Sequence, residues 1–301
     1  MSIARKLIPS DAASAVFPFV FKITTTSANT VFTTPLVDYG GLTPALYINW
    51  GDSTSSGLIT SLSSTNRIHT YASAGTYTIT ISGFMPGFKV NNNSAIRNLI
   101  TELVQWGTVG IRTIDFYGCI NLTSIPTSSA LSALGGYTGL GEVINFTSLF
   151  QATRVATIPS DLFAYSPKAT TFANTFSSNT AITSVPNGLF DLVPLATSFA
   201  SCFFSCSSLT SVPSTLFDQN PNAVNFSGTF YNCRALTNVL QFTYNTNVTI
   251  FNNLYNMSST VNALTGTAPE LWNRIPTPSG TNAFNNCTGL TNYASIPTNF
   301  K

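Results

Sequence analysis

The stretch Asn225-Phe226-Ser227-Gly228-Thr229-Phe230-Tyr231-Asn232-Cys233-Arg234-Ala235-Leu236-Thr237-Asn238-Val239 repeats, in outline, what the chain has already spelled twice upstream. Phe172, Phe199 and Phe226 recur at intervals of 27, as do Phe176, Phe203 and Phe230. Ile182, Leu209 and Leu236 keep the same step, and so do Pro159, Pro186 and Pro213, with Leu240 in the next proline slot. Self-similarity at such a period predicts a solenoid, in which each unit buries its apolar side only against its neighbours. Surfaces of that kind generally bind or build rather than catalyse.

Working outward, the unit itself suggests local structure. Phe226 and Phe230 stand at i and i+4, a spacing that predicts one or two helical turns. Leu236 to Val239 is short and β-prone, and a strand is expected there, ended by Pro186 or Pro213 in the units that carry proline. The Leu-Phe pairs at 162/163, 189/190 and 216/217 seal the opposite side of each unit. Asp191 and Asp218 follow two of these pairs at the same step and read as a repeated Asx-type cap.

Residues 15–84 carry a different pattern. Segments 19–26, 30–37, 45–50 and 77–83 are rich in β-branched and aromatic residues with partial alternation, which predicts short strands of a β-sandwich. Gly40-Gly41, Gly51-Asp52-Ser53 and Ser73-Ala74-Gly75 mark the turns. Between the halves, residues 85–110 read as a linker and capping helix. Ser94 is the N-cap, and Ile96, Leu99, Ile100, Leu103 and Val104 form an apolar stripe at helical spacing. Residues 1–14 form an N-terminal arm, in which Arg5 and Lys6 are candidate assembly contacts. Residues 127–145, with Gly135, Gly136, Gly139 and Gly141, and residues 241–280 depart from the repeat and are expected to bulge or loop.

Composition narrows the function classes. The chain has 301 residues, of which 44% are apolar and only 7% charged, against about 25% charged in an ordinary globular protein. A net charge of +2 offers no basic face for nucleic acid. No apolar run approaches the roughly 18 residues of a membrane span, so no membrane insertion is expected. Pro9, Ser10 and Asp11 interrupt what would be the apolar core of an export signal. The five cysteines, Cys119, Cys202, Cys206, Cys233 and Cys287, lack metal-ligand spacing; four share one repeat position, three residues after Phe116, Phe203, Phe230 and Phe284, and read as small core fillers.

The one histidine, His69, lies within the β pattern, where a structural role fits better than that of a general base. No G-x-S-x-G elbow supplies a nucleophile, and no pair of acids converges by spacing on one strand end. No cofactor motif is present. A non-enzymatic protein is therefore expected. The candidate partner face is the set of small polar residues that follows the buried aliphatic position of each unit, chiefly Thr183, Ser184, Thr210, Ser211, Thr237 and Asn238. Stacking would turn these into parallel ladders.

Two resemblances refine these expectations. Trp50-Gly51-Asp52, followed by His69-Thr70-Tyr71 and by Gly75-Thr76-Tyr77-Thr78-Ile79-Thr80-Ile81, resembles the PKD-type immunoglobulin-like module over about residues 17–83. Ser53 stands where that family has a glycine. Phe116-Tyr117-Gly118-Cys119-Ile120-Asn121-Leu122-Thr123-Ser124-Ile125-Pro126, and Phe203 through Pro213, resemble the BspA-type leucine-rich repeat over about 111–301. The resemblances imply a mostly β chain with an N-terminal Ig-like β-sandwich, followed by a leucine-rich-repeat solenoid with short helical turns. They also imply an adhesive or structural role. With the low charge and no export signal, this leads to a bacteriophage virion component (tail, fibre or capsid surface) touching other virion proteins or its own copies, and host-surface glycan or protein. The alternative is a secreted or surface-attached bacterial adhesin. The chain is expected to end directly after a repeat, leaving its last unit uncovered and ready to dock on another subunit.

Overall fold

The computed structural model describes residues 17–127 and 139–301, and throughout these it is built of strands, bridges and turns with no α-helix. The N-terminal arm with Arg5 and Lys6 lies outside the described residues, as do Gly135 and Gly136. In chain order the strands are β1 (Phe19–Thr25), β2 (Thr30–Thr33), β3 (Ala45–Asn49), β4 (Ile68–Tyr71), β5 (Gly75–Phe84), β6 (Gly87–Lys89), β7 (Ile100–Gln105) and β8 (Thr113–Asp115).

An antiparallel sheet of order β3-β5-β1-β7 faces the β2-β4 pair. Strict alternation in β1, buried at Phe19, Phe21 and Ile23, turns one face inward, where Phe21 meets Phe32 of β2 with ring centroids 6.0 Å apart. The Gly51-Asp52-Ser53 turn closes as the alternation requires. Ser53 takes a left-handed φ of 72°, and Asp52 Oδ1 accepts the Thr54 N–H at 3.1 Å and the Thr54 hydroxyl at 2.6 Å. An Asx turn thus replaces the glycine.

The helix expected over residues 94–104 does not form. Ser94–Ile96 makes a single 3-10 turn, and β7 follows as the edge strand against β1. The register between β1 and β7 shifts twice, at Val20/Phe21 and at Lys22/Ile23. Bulges of this kind break the period of two. Ile100 and Leu103 are thereby buried three residues apart, which in sequence imitates a helix.

From Asn145 onward the chain forms parallel layers. Bridges join Asn145 to Thr171, Thr171 to Ser198, Ser198 to Asn225, Asn225 to Ile250 and Ile250 to Ser279, 25 to 29 residues apart. Three columns of aromatic rings run through the stack. Phe172, Phe199 and Phe226 lie 5.5 and 5.4 Å apart; Phe176, Phe203 and Phe230 lie 5.5 and 5.8 Å apart. Phe163, Phe190 and Phe217 form the third column at 5.7 Å per step, and Phe190 meets Phe172 edge-on. Offset stacking along a column and T-shaped contacts between columns both suit the aromatic quadrupole.

The expected helical turns are β-turns. Thr229, Tyr231 and Cys233 donate N–H bonds three residues back, while Phe226, Gly228, Phe230 and Asn232 donate to Ile250, Asn252, Leu254 and Asn256 of the next layer. Alternate amides thus point along the stack. Left-handed residues two and six places after the first phenylalanine make this possible: Asn174 and Ser178, Ser201 and Ser205, Gly228 and Asn232. An α-helix would consume every amide within itself, leaving none to join the layers.

The strand expected at Leu236–Val239 is reduced to single bonds. Thr237 N–H donates to Thr210 C=O at 3.0 Å, and one layer earlier a bridge joins Ser184 to Ser211. Residues 241–280 are not wholly a loop. Phe251 and Tyr255 are fully buried and stack on Phe226 and Phe230, and Phe242 stacks on Phe217, in a layer two residues shorter than its predecessor.

The halves share one core. β6 pairs in parallel with β8, Leu103 N–H of β7 donates to Ser124 C=O at 3.0 Å, and Phe88 packs on Phe116 at 5.5 Å. At the other end the last layer is covered. Phe300 is 1% exposed, its ring lies edge-on to Trp272, and its C=O accepts the Phe284 N–H at 2.8 Å. The expectation of an uncovered final unit is corrected by this fold-back.

Candidate binding face

Thr183, Ser184, Thr210, Ser211 and Thr237 are exposed and Asn238 is half-buried, and all lie on one side of the stack. Their ladder is not free, however. Thr210 Oγ1 donates to Thr183 C=O at 2.9 Å, Thr237 Oγ1 to Thr210 C=O at 3.0 Å, and Thr265 Oγ1 to Thr237 C=O at 3.0 Å. Each carbonyl also accepts the matching backbone N–H. The hydroxyl protons of Thr210, Thr237 and Thr265 are therefore spent on holding one layer to the next.

Asn238 extends the ladder with its side chain. Its Nδ2 donates to Val212 C=O at 3.0 Å and its Oδ1 accepts Val212 N–H at 3.3 Å, so the amide acts as a further stretch of strand edge. Asn292 repeats the device on Ala268. Ser184 and Ser211 make no side-chain hydrogen bond among the described residues and point a hydroxyl at solvent. The face thus offers threonine lone pairs and serine donors, evenly spaced and uncharged.

A second column lies before the first phenylalanine of each layer. Thr170 Oγ1 donates to Ile144 C=O and Thr197 Oγ1 to Thr170 C=O, each at 3.0 Å. Sequence reasoning passed over it, although Thr170 and Thr197 show the same 27-residue step.

The groups most able to do chemistry are engaged in structure. His69 stacks on Trp50 at 4.9 Å with an interplanar angle of 10°, and its Nε2 lies 2.7 Å from Asp52 Oδ2. Burial alone would raise the Asp52 carboxyl, but hydrogen bonds from Thr54 and His69 outweigh it and hold it below the usual carboxylate range. Asp115 goes the other way. It is buried, and burial pushes its carboxyl up although it accepts the Asn91 N–H and sits 4.0 Å from Lys89.

Asp191 and Asp218 do not cap turns. Neither carboxylate accepts a hydrogen bond among the described residues, and burial followed by the charge of Asp191 pushes Asp218 up. Asp191 thus gives up the Asx role for a position in a column of like charge. Glu142 is held low, first by the hydrogen bond from Lys168 at 2.7 Å and then by Arg112. Among the described residues no group of three His, Cys, Asp or Glu side chains could hold a metal ion.

All five cysteines are buried and unpaired. Cys206 Sγ donates to Phe176 C=O at 3.1 Å and Cys233 Sγ to Phe203 C=O at 3.0 Å. Burial pushes Cys206 and Cys287 each up to about 12, and Cys202 and Cys233 well above the ordinary thiol value. Thiolate is the reactive form, so the folded chain is expected to resist alkylation at neutral pH. Iodoacetamide followed by intact mass under non-reducing conditions checks this: no adducts when folded and five in denaturant. A bridge between Cys206 and Cys233 in that mass would overturn the assignment.

No protein-family model matches this chain, and no curated protein matches it either. No helix among the described residues is long and apolar enough to cross a membrane.

Proposed function

We propose that this chain is a non-enzymatic structural and adhesive protein of a bacteriophage virion, in a tail, fibre or the capsid surface. In this reading the N-terminal sheets are a PKD-type immunoglobulin-like module. The parallel layers are a BspA-type leucine-rich-repeat solenoid, a build suited to a stiff presenting surface. Its outer ladder contacts a host-surface glycan or protein, and its other partners are virion proteins or copies of itself.

One observation carries the reading. In the column through Thr183, Thr210 and Thr237 the Thr210 and Thr237 protons are committed to the stack, which leaves an uncharged row of acceptors beside the free hydroxyls of Ser184 and Ser211. Such a row suits a neutral, hydroxyl-bearing ligand, because buried partners would be matched by hydrogen bonds rather than by charge. The engagement of His69, Asp52 and the cysteines in packing is consistent with a role without catalysis.

The alternative, a secreted or surface-attached adhesin, shares the same face and differs in where the protein resides. Immunogold labelling of lysed source cultures with antibody to the chain separates the two. Gold on particles is the expected result, gold on cell envelopes favours the adhesin, and soluble label alone overturns both. On either reading Ser211→Arg should abolish binding to intact host cells while leaving the melting temperature unchanged.

A further inference from the structure

Asn187-Gly188 is the only Asn-Gly pair in the chain, and it stands in the turn that links the polar ladder to the Leu189-Phe190 pair. The same turn occurs one layer earlier and one layer later. There Leu162 N–H donates to Pro159 C=O at 3.2 Å, and Leu216 N–H to Pro213 C=O at 3.1 Å. The equivalent bond from Leu189 to Pro186 is not made. The next bond is kept in all three turns: Ala164 N–H to Asp161 C=O at 3.0 Å, Asp191 N–H to Gly188 C=O at 3.1 Å and Asp218 N–H to Thr215 C=O at 3.0 Å. Of the three, only the turn that holds Asn-Gly is open at its first step.

The open step leaves a reactive pair unguarded. Asn187 is exposed, its carboxamide makes no hydrogen bond among the described residues, and the Gly188 N–H has no acceptor. Gly188 takes a left-handed φ of 75° and has no side chain to screen its nitrogen. A Cβ built at Gly188 would meet only the Asp191 carboxylate, with Oδ2 at 3.5 Å. Neither packing nor hydrogen bonding therefore holds the Gly188 nitrogen away from the Asn187 carboxamide.

We propose that Asn187 is a site of spontaneous deamidation through a cyclic imide. Hydroxide removes the Gly188 amide proton, and the nitrogen attacks Asn187 Cγ. The new N–Cγ bond closes a five-membered ring as the side-chain nitrogen leaves as ammonia. Water then opens the imide. Attack at Cγ gives aspartate, and attack at the main-chain carbonyl gives isoaspartate, with the chain running through Cγ. One water is consumed and one ammonia is released. Either product places a new carboxylate close after Ser184 and near Asp191, and lowers the net charge from +2 by a single unit. The uncharged row of the candidate face thus acquires an acidic rim as the protein ages. The reaction needs no partner, so its test is independent of the function proposed above.

Peptide mapping of the full chain incubated at mildly alkaline pH tests the assignment, with the chain unfolded in guanidinium as the reference for the bare Asn-Gly sequence. Asn187 should convert ahead of every other asparagine, gaining about 1 Da as –NH2 becomes –OH. Isoaspartate should be detectable at that position by enzymatic carboxyl methylation. The folded chain should convert within about tenfold of the guanidinium reference, since the open turn adds little to the barrier. Asn187→Gln, which would have to close a larger ring, should slow the reaction roughly tenfold or more. The substitution lies on an exposed side chain without a partner, so the melting temperature should hold. An intact Asn187 in the folded chain while the unfolded chain converts would overturn the proposal. So would another asparagine that converts first, or a mass gain that persists unchanged in Asn187→Gln.

Discussion

Phe230→Ala is expected to lower the folding free energy by about 3–5 kcal/mol, the range found when a buried phenylalanine is truncated. Phe230 is fully buried, its ring stacked between Phe203 at 5.8 Å and Tyr255 at 5.3 Å, with Phe217 tilted against it at 6.4 Å. Its neighbours cannot move inward to fill the space, because their amides are bonded across layers at both ends of the turn: Phe230 N–H to Leu254 C=O, and Phe203 N–H to Thr229 C=O. The cavity should therefore persist. Layers that touch only their neighbours also offer no second core to share the loss. Urea denaturation followed by far-UV dichroism measures the change. A Phe230→Ala chain that unfolds at the parent midpoint would falsify the packing of these columns in solution.

The second large effect concerns a buried polar column. Asn179 is fully buried; its Nδ2 donates to Phe150 C=O at 2.6 Å and Phe176 C=O at 3.0 Å, and its Oδ1 accepts the Thr153 hydroxyl at 2.6 Å. Asn179→Ala removes all three of these bonds and leaves a void, although Phe150 C=O keeps the Thr153 hydroxyl at 3.0 Å and Phe176 C=O keeps the residue-179 amide and the Cys206 thiol. It should cost about 2–4 kcal/mol, at roughly 0.5–1.5 for each buried hydrogen bond lost. The same slot in the next two layers holds Cys206 and Cys233, whose thiols donate to the equivalent carbonyls at 3.1 and 3.0 Å. Asn179→Cys should therefore be milder, at about 1 kcal/mol, because it keeps one donor where one is needed. Equal losses for the two variants in calorimetric melting would show that the slot depends on volume alone and not on the hydrogen bond.

This column explains why the cysteines repeat. Read as sequence, Cys206 and Cys233 are small apolar fillers, and that much holds. What the spacing does not reveal is that they stand where Asn179 stands, as second donors to a carbonyl of the preceding layer that already accepts an amide of its own turn. The clue was present in the 27-residue step from Asn179 to Cys206, but a change from amide to thiol hides it unless both are considered as donors.

The candidate face was legible in its residues and not in its bonding. Thr183, Thr210 and Thr237 announce a ladder by their step, yet a threonine in sequence does not say whether its proton faces solvent or the layer before it. That depends on the distance between layers, which the stacked rings and the bridging amides set together.

The sequence by itself determined the period, the aromatic positions that fill the core and the presence of two differently patterned halves. These follow from local spacing, because a residue that recurs at a fixed step in a stack must meet its own counterpart. Tertiary structure alone decided the rest. Bulges pair Ile100 and Leu103 with β1 and so turn a helical stripe into an edge strand. The demand of each layer for amides from its neighbour turns F-x-x-x-F from a helical turn into left-handed β-turns. Phe300 can cover the last layer only because the fold-back brings its carbonyl to the Phe284 amide. In each case the deciding partner lies a strand or a layer away, where a local pattern carries no information about it.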